Sequence, residues 1–466
     1  MSNQATILFE NDPLIAENEA LKQFVENSSA TVNPLPFVRD GELVVVVKLK
    51  EDESYENVRH IAGTISRVLS KRKVENASLT EESLIKAFET LVKGHTVTAF
   101  VEGWHLGSYQ FEKYKAKKKA FKTNLHIDGD ADTKNFTKLG QIRAEATAFS
   151  RDLMNEIPST LNPETFPNLL KETFKDTAVK VTVFDKDELE QRQMNGVLTV
   201  GRGSKHSPAF VELEYRKDDS KPLVTLIGKG VTFDTGGISL KRGKDLSSMR
   251  MDMGGAAAVS GAMKLLADAE ANVNVVALIP IVENMPDNTS VIPGDVIRYK
   301  NGLNVQVGNT DAEGRLILAD ALIRAGEINS DYIIDIATLT GAIVNALGTK
   351  IAGVFGDEQL AEEMKQIGRK NGDFVWPMPL VDAYDNYLAS DYADFNNTSS
   401  KPEAGSITAS LFLRRFVPES AKWLHVDMAG VMQGEEKGYY RKSATGFGAR
   451  LLADFTVHVS NNQKLD

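Results

Sequence analysis

The chain has 466 residues, 42% of them hydrophobic and 25% charged, with a formal net charge of −10 and no cysteine. Such a composition suits a globular protein of two or three domains with a large apolar core. It excludes disulfides, thiolate zinc sites, iron–sulfur clusters and cysteine nucleophiles, and its acidic balance offers no general attraction to nucleic acid or to anionic membranes.

Taken in chain order, Met1 to Asp12 lack the basic start and apolar run of a secretory signal. No later stretch has the uninterrupted apolar length needed to span a bilayer, so the expectation is a soluble cytoplasmic protein with no membrane partner. Leu43 to Leu49 reads as a buried strand. Residues 80–93 place Leu84, Ala87, Phe88 and Leu91 at helical spacing, and Val97 to Val101 reads as a second strand, giving a small α/β unit. A basic run from Lys113 to Lys122, with Lys115, Lys117, Lys118 and Lys119, is interleaved with Tyr109, Phe111, Tyr114 and Phe121. It could bind nucleic acid, but in an acidic chain a solvated face is the favoured reading. Residues 124–137 are polar and read as a loop, and a helix over Leu139 to Met154, with Ile142, Ala146, Phe149 and Leu153 on one side, reads as a connector ended by Pro158 and Pro163. The expected organisation is an N-terminal α/β domain over 1–137, a connector helix over 138–160 and a larger domain over 161–466.

That larger part alternates strand and helix: a strand at Leu223 to Ile227, a small-residue helix at Gly255 to Ala267, a strand at Val273 to Val282, a helix at Leu316 to Ala325 with Gly326 as its C′ residue, and a strand at Tyr332 to Ala337. Alternation of this kind predicts an α/β domain whose mainly parallel, helix-covered sheet carries its ligands at the carboxyl ends of the strands.

Three loops carry unusual chemistry. The first strand runs into Gly228-Lys229-Gly230-Val231-Thr232-Phe233-Asp234-Thr235-Gly236-Gly237 and then Lys241; Asp252 precedes the small-residue helix; and Asn309-Thr310-Asp311-Ala312-Glu313-Gly314-Arg315 precedes the next. Each has an ordinary structural reading. Asp234 could form an Asx turn, Asp252 could be an N-cap, and Thr310 with Glu313 fits a capping box. Together they are four acids at loops of one domain, and carboxylates that converge without cations repel and raise one another's pKa. Oxygen ligands in this number suit divalent metals, and bridging carboxylates suit a pair of them. The seven histidines form no HExxH pair, and there is no G-x-S-x-G elbow, P-loop or dinucleotide fingerprint.

The blocks GKGVTFDTGGISLK, MDMGGAAAV, NTDAEGR and ATLTGA, in this order, closely resemble the leucyl aminopeptidase family, the two-metal cytosolic aminopeptidases. The resemblance extends over roughly residues 150–460, including IPGDV, GSITASLFL, HVDMAG and SATGFGARLL. It implies a metal-dependent aminopeptidase that hydrolyses the N-terminal residue of peptides, leucine-like ones preferred, through a hydroxide bridging two divalent ions, Mn2+ or Zn2+. The same resemblance implies that Lys229, Asp234, Asp252 and Glu313 surround one metal and Asp234, Asp311 and Glu313 the other. Lys241 would stabilise the oxyanion, and Arg315 would hold a bicarbonate acting as general base. Met249, Thr338, Leu339, Gly341 and Ala429 match the positions that line the subsite for an apolar N-terminal side chain. A homohexamer is likewise implied.

Three departures bear on substrate preference and assembly: the basic stretch Lys241-Arg242-Gly243-Lys244-Asp245-Leu246, the segment from Glu156 to Pro163, and a divergent N-terminal region. Two other functions are open to these residues. A DNA-binding role, additional to the enzyme, would use the Lys113 to Lys122 run. A metal phosphohydrolase would use the same acids, but no phosphate-cradling loop supports it.

Overall fold

A computed structural model describes residues 3–28, 34–39, 41–49, 52–118, 120–243 and 245–461, so Lys119 and Lys244 lie outside the described residues. The chain divides into two compact units, one comprising Met1–Ala148, Lys370–Gly372 and Gly434–Ser443, the other Phe149–Arg369, Asp373–Gln433 and Ala444–Asp466. The division falls inside a helix spanning Ala131–Asn155.

The first unit has a five-stranded sheet in the order Leu35–Arg39, Glu42–Val47, Gln4–Phe9, Asn76–Thr80, Asn124–Asp128, parallel except for the first pair. Two sequence expectations fail here. Val97 to Val101 belong to a helix, Lys93–Ser108, in which every residue from Thr96 to Trp104 is buried. A helix covered on all sides shows no 3.6-residue polarity period, so its β-branched run is indistinguishable from a strand in sequence. Its neighbour is the helix Tyr55–Lys71, which approaches so closely that a Cβ on Gly103 would run into the Arg59 carbonyl. Residues 124–137, expected to be a loop, instead supply an edge strand and the first turns of the Ala131–Asn155 helix. That strand is polar because its residues alternate between exposed and half-buried positions. The helix expected over 80–93 is confined to Glu81–Ala87. The basic residues Lys113, Lys115, Lys117, Lys118 and Lys122 lie exposed on irregular chain.

The second unit is built on a nine-stranded sheet. Its order is Val375–Pro377, Ala352–Gly356, Lys422–Asp427, Tyr332–Ala337, Leu223–Gly228, Asn274–Asn284, Ala209–Arg216, Lys180–Phe184, with Gly230–Asp234 also paired to Asn274–Asn284. The central strands run parallel and the antiparallel pairings lie toward the edges. Leu223–Gly228 and Asn274–Asn284 are buried along their whole length, which is why they read as continuous apolar runs. The helix Gly314–Glu327 packs with Leu223, Ile227, Leu278 and Ile333 in one apolar core. This helix runs through Gly326. The left-handed residue that follows its end is Asn329, with φ +56°, so asparagine takes the place expected of glycine.

Within the sheet Asp335 and His425 are register partners on adjacent strands and fully buried, with His425 Nδ1 2.5 Å from Asp335 Oδ1 and Trp423 Nε1 donating to Asp335 Oδ2 at 2.7 Å. Burial opposes a charge on this imidazole, and the Asp335 carboxylate outweighs it, so the pKa of His425 rises. Removing one partner strands the other without solvent. Asp335→Ala is expected to cost about 3–5 kcal/mol, read as a lower urea midpoint, with part of the loss recovered in Asp335→Ala/His425→Leu.

Candidate active site

The carboxyl ends of the parallel strands deliver the site. Leu223–Gly228 ends immediately before Lys229, Gly230–Asp234 ends on Asp234, and Asn274–Asn284 ends on Asn284. Tyr332–Ala337 releases Thr338 and Leu339, and Lys422–Asp427 releases Met428 and Ala429. Backbone groups leaving a sheet lose their ladder partners, and here side chains take over that role.

Lys229 lies at the centre of one half of the cluster. Its Nζ is 2.8 Å from Asp252 and 2.8 Å from Glu313 Oε1, and donates to the Thr338 carbonyl at 3.0 Å. Thr338 Oγ1 in turn donates to Asp252 Oδ1 at 2.7 Å. Lys241 organises the other half, with Nζ 2.8 Å from Asp234 Oδ2 and 2.5 Å from Asp311 Oδ1. Asp234 also accepts from Gly236 N–H at 2.9 Å, so its Asx turn is real, and from Asn284 Nδ2 at 2.8 Å. The other two structural readings are absent. The helix after Asp252 is capped at Met253 without a side-chain bond, and the helix after Glu313 has no side-chain cap. Thr310 Oγ1 instead donates to the Gly236 carbonyl at 2.6 Å and accepts from Ser239 N–H at 2.8 Å, clasping the two acidic loops together. At Gly314 a Cβ would lie 2.6 Å from Lys229 Cε, so glycine here makes room for the lysine stem.

Asp234, Asp252 and Glu313 are buried, and each offers one carboxylate oxygen such that all three lie within 4.8 Å of one another. Asp311 is half-buried and joins them through Lys241. Burial pushes the carboxyls of Asp252 and Glu313 up, with Asp234 adding repulsion and Lys229 opposing both. Burial also raises Asp311, against the hydrogen bond from Lys241. On the lysines burial works against the charge, and the surrounding acids, Asp252 first for Lys229 and Asp234 first for Lys241, more than compensate, so both ammonium groups are held above the ordinary lysine range. Two ammonium groups facing four carboxylates leave a negative excess, and Glu313 Oε2 is buried with no hydrogen-bond partner among the described residues. An unsatisfied carboxylate oxygen at the meeting point of three acids is the kind of donor set that divalent cations take.

Arg315 is buried beside this cluster. Its Nη1 donates to the Asn397 carbonyl at 2.8 Å while Nε has no hydrogen-bond partner among the described residues, and burial lowers its pKa to about 10 against the opposing pull of Glu313 and Asp427. Thr338 is buried and Leu339, Ala429 and Met249 half-buried, whereas Gly341 is exposed. Leu339 N–H and Ala429 N–H both reach Asp427 Oδ1, at 3.2 and 3.3 Å, and Met249 accepts from Asp252 N–H at 3.2 Å.

Three residues of the site escaped sequence reasoning. Asn284 holds Asp234 and, at 3.1 Å, the Thr310 carbonyl. Asn397 accepts from Gly308 N–H and donates to the carbonyls of Asn309 and Ala312, framing the 309–313 loop. Asp427 is the third. The one local signal is the polar pair Glu283-Asn284 closing the apolar run from Val275 to Val282.

The profile described as cytosol aminopeptidase family, catalytic domain, matches residues 148–453, and that of the family's N-terminal domain matches residues 42–118. The chain is 36% identical over 450 residues to a probable cytosol aminopeptidase of Persephonella marina, a match covering 94% of this chain and 90% of that one. It is 42% identical over 377 residues to a probable cytosol aminopeptidase of Chlorobium phaeobacteroides, covering 78% and 75%. Among solved structures, the bottromycin maturation enzyme BotP in complex with Mn matches with a TM-score of 0.87 at 29% identity, over 98% of this chain and 99% of that one.

Proposed function

Since the chain belongs to the cytosol aminopeptidase family and is by that membership an aminopeptidase, we propose that it releases leucine-like N-terminal residues from peptides using two divalent metal ions held by its carboxylate cluster. The observation that carries this reading is the convergence of three buried carboxylates, each with an oxygen within 4.8 Å of the others, one of which, Glu313, has an oxygen, Oε2, buried with no hydrogen-bond partner among the described residues. Lys229, Asp234, Asp252 and Glu313 would hold one ion, and Asp234, Asp311 and Glu313 the other. Mn2+ is favoured by the similarity to the Mn complex of BotP, and Zn2+ suits the same ligands. When bound, the metals supply Lewis acidity to the scissile carbonyl and lower the pKa of water.

The chain's own groups then have distinct tasks. Lys229 can donate a lone pair only after its ammonium loses a proton, which two neighbouring dications would favour. Lys241 keeps its charge, and its ammonium is the donor for negative charge developing on the carbonyl oxygen. Arg315, whose Nε has no hydrogen-bond partner among the described residues, would hold a small anion such as bicarbonate, which when bound would supply a general base. Met249, Thr338, Leu339, Gly341 and Ala429 receive the N-terminal side chain. We extend the reading to a homohexamer acting in the cytoplasm, for which light scattering gives the assembly test.

The expected result is hydrolysis of Leu-p-nitroanilide that falls to background after chelation and returns when Mn2+ or Zn2+ is restored. Full activity in protein shown by elemental analysis to be metal-free would overturn the proposal.

A further inference from the structure

We propose that Asp427 is a positioning residue for the pocket that receives the substrate's N-terminal side chain, and that the bonds it accepts set which side chain is preferred. This inference rests on the assignment of Leu339 and Ala429 to that pocket.

Asp427 ends the strand Lys422–Asp427, in register with Ala337 at the end of the neighbouring parallel strand. The two chains therefore leave the sheet side by side, one through Thr338, Leu339 and Thr340, the other through Met428 and Ala429. Met428 N–H still reaches the Ala337 carbonyl at 2.8 Å. Beyond it, one carboxylate ties the two departing loops together. Asp427 Oδ1 accepts from Leu339 N–H at 3.2 Å, Thr340 N–H at 3.4 Å and Ala429 N–H at 3.3 Å, and Oδ2 accepts from Thr340 Oγ1 at 2.6 Å. Thr340 passes the constraint on: its Oγ1 caps Ile343 N–H at 3.2 Å and lies 2.8 Å from Ser406 Oγ.

Asp427 is fully buried and forms no ion pair among the described residues, so holding a carboxylate there is costly. A carboxylate is nevertheless the one side chain that accepts on both oxygens and donates from neither when ionised. An isosteric amide would turn an NH2 group toward either the Thr340 hydroxyl or the backbone N–H groups. The loop 338–340 is pinned independently at its other end, where Thr338 bonds Asp252 and Lys229. Loosening Asp427 therefore moves Leu339 and Ala429 relative to one another while leaving the carboxylate cluster in place. A pocket that discriminates by a few methylenes loses discrimination when its two walls are no longer held at fixed separation.

The test compares leucyl- and alanyl-p-nitroanilide as substrates. In Asp427→Asn the ratio of kcat/KM for the two is expected to fall about 10-fold, carried mainly by KM for the leucyl substrate, with metal content equal to wild type. Thr340→Val is expected to shift the ratio in the same direction, and Thr340→Ser to restore it relative to Thr340→Val. An unchanged ratio in Asp427→Asn, or in Thr340→Val should the first variant fail to fold, overturns the inference, as does an equal kcat loss for both substrates. A Leu339→Ala enzyme with the wild-type ratio overturns the pocket assignment itself, and the inference with it.

Discussion

Lys241→Met is expected to lower kcat by about 10²–10³-fold, the cost of deleting one donor to a developing oxyanion, with metal content and KM close to wild type. Lys241 enters the site after a loop that closes on itself, its own N–H bonding the Thr235 carbonyl at 2.9 Å. Its ammonium lies between Asp234 and Asp311. Once those carboxylates are engaged elsewhere, the ammonium is free to face a negatively charged oxygen, and methionine preserves the stem while removing that charge. If Lys241 served only to neutralise the acids, the variant would change metal stoichiometry, and its activity would track metal content. Steady-state kinetics with elemental analysis on one sample separates the two cases; kcat within a few-fold of wild type would sink the assigned role.

Glu313→Gln is expected to stabilise the metal-free protein while removing activity. Glu313 is 2% exposed, close to Asp234 and Asp252, and one of its oxygens has no partner. A neutral isostere relieves both desolvation and like-charge repulsion, and Lys229 keeps Asp252 as its counter-ion. Burial and Asp234 hold the Glu313 carboxyl above its ordinary range, so its ionised form costs stability that a glutamine, whose amide oxygen can still accept from Lys229, does not, and a gain of about 1–2 kcal/mol is expected without metal. With metal the order reverses. At 100 times Kd the wild type gains about 2.7 kcal/mol from binding, whereas loss of a bridging ligand should weaken binding by more than the roughly 10–100-fold typical of supporting residues. Thermal unfolding with and without Mn2+ reads this crossover. A variant less stable than wild type in the metal-free state, or one still stabilised fully by Mn2+, would contradict the assignment of Glu313 to the metals.

The two variants probe residues whose chemistry was legible in sequence for the same reason. Lys229, Asp234, Lys241, Asp252, Asp311 and Glu313 all lie in short loops at strand ends or helix starts, and each loop carries glycine or small residues that mark close approach. The strand Tyr332–Ala337 is legible with its observed bounds because Ile333, Ile334, Ile336 and Ala337, apolar on either side of Asp335, are flanked by polar residues at one end and by Thr338 at the other. Where burial was complete on every side, as in the helix Lys93–Ser108, periodicity vanished and the reading failed. The capping box at Thr310 and Glu313 was open in sequence, since the same residues suit a cap or a ligand. The structure sends the Thr310 hydroxyl to Gly236 and Ser239, 70 and more residues upstream.

By itself, then, the sequence determined the kinds of groups in the site, their order along the chain and their placement at strand ends, because loop chemistry and hydrophobic period are local properties. Only the tertiary structure decided that Lys229 spans Asp252 and Glu313, that Asn397 frames the 309–313 loop from as far as 88 residues away, and that Asp427 joins loops 88 residues apart. The physical reason is that these contacts depend on strand order and register, such as Ala337 opposite Asp427. Register is set by matching the hydrophobic patterns of strands far apart in the chain, and the short stretch flanking any one residue does not name its partner.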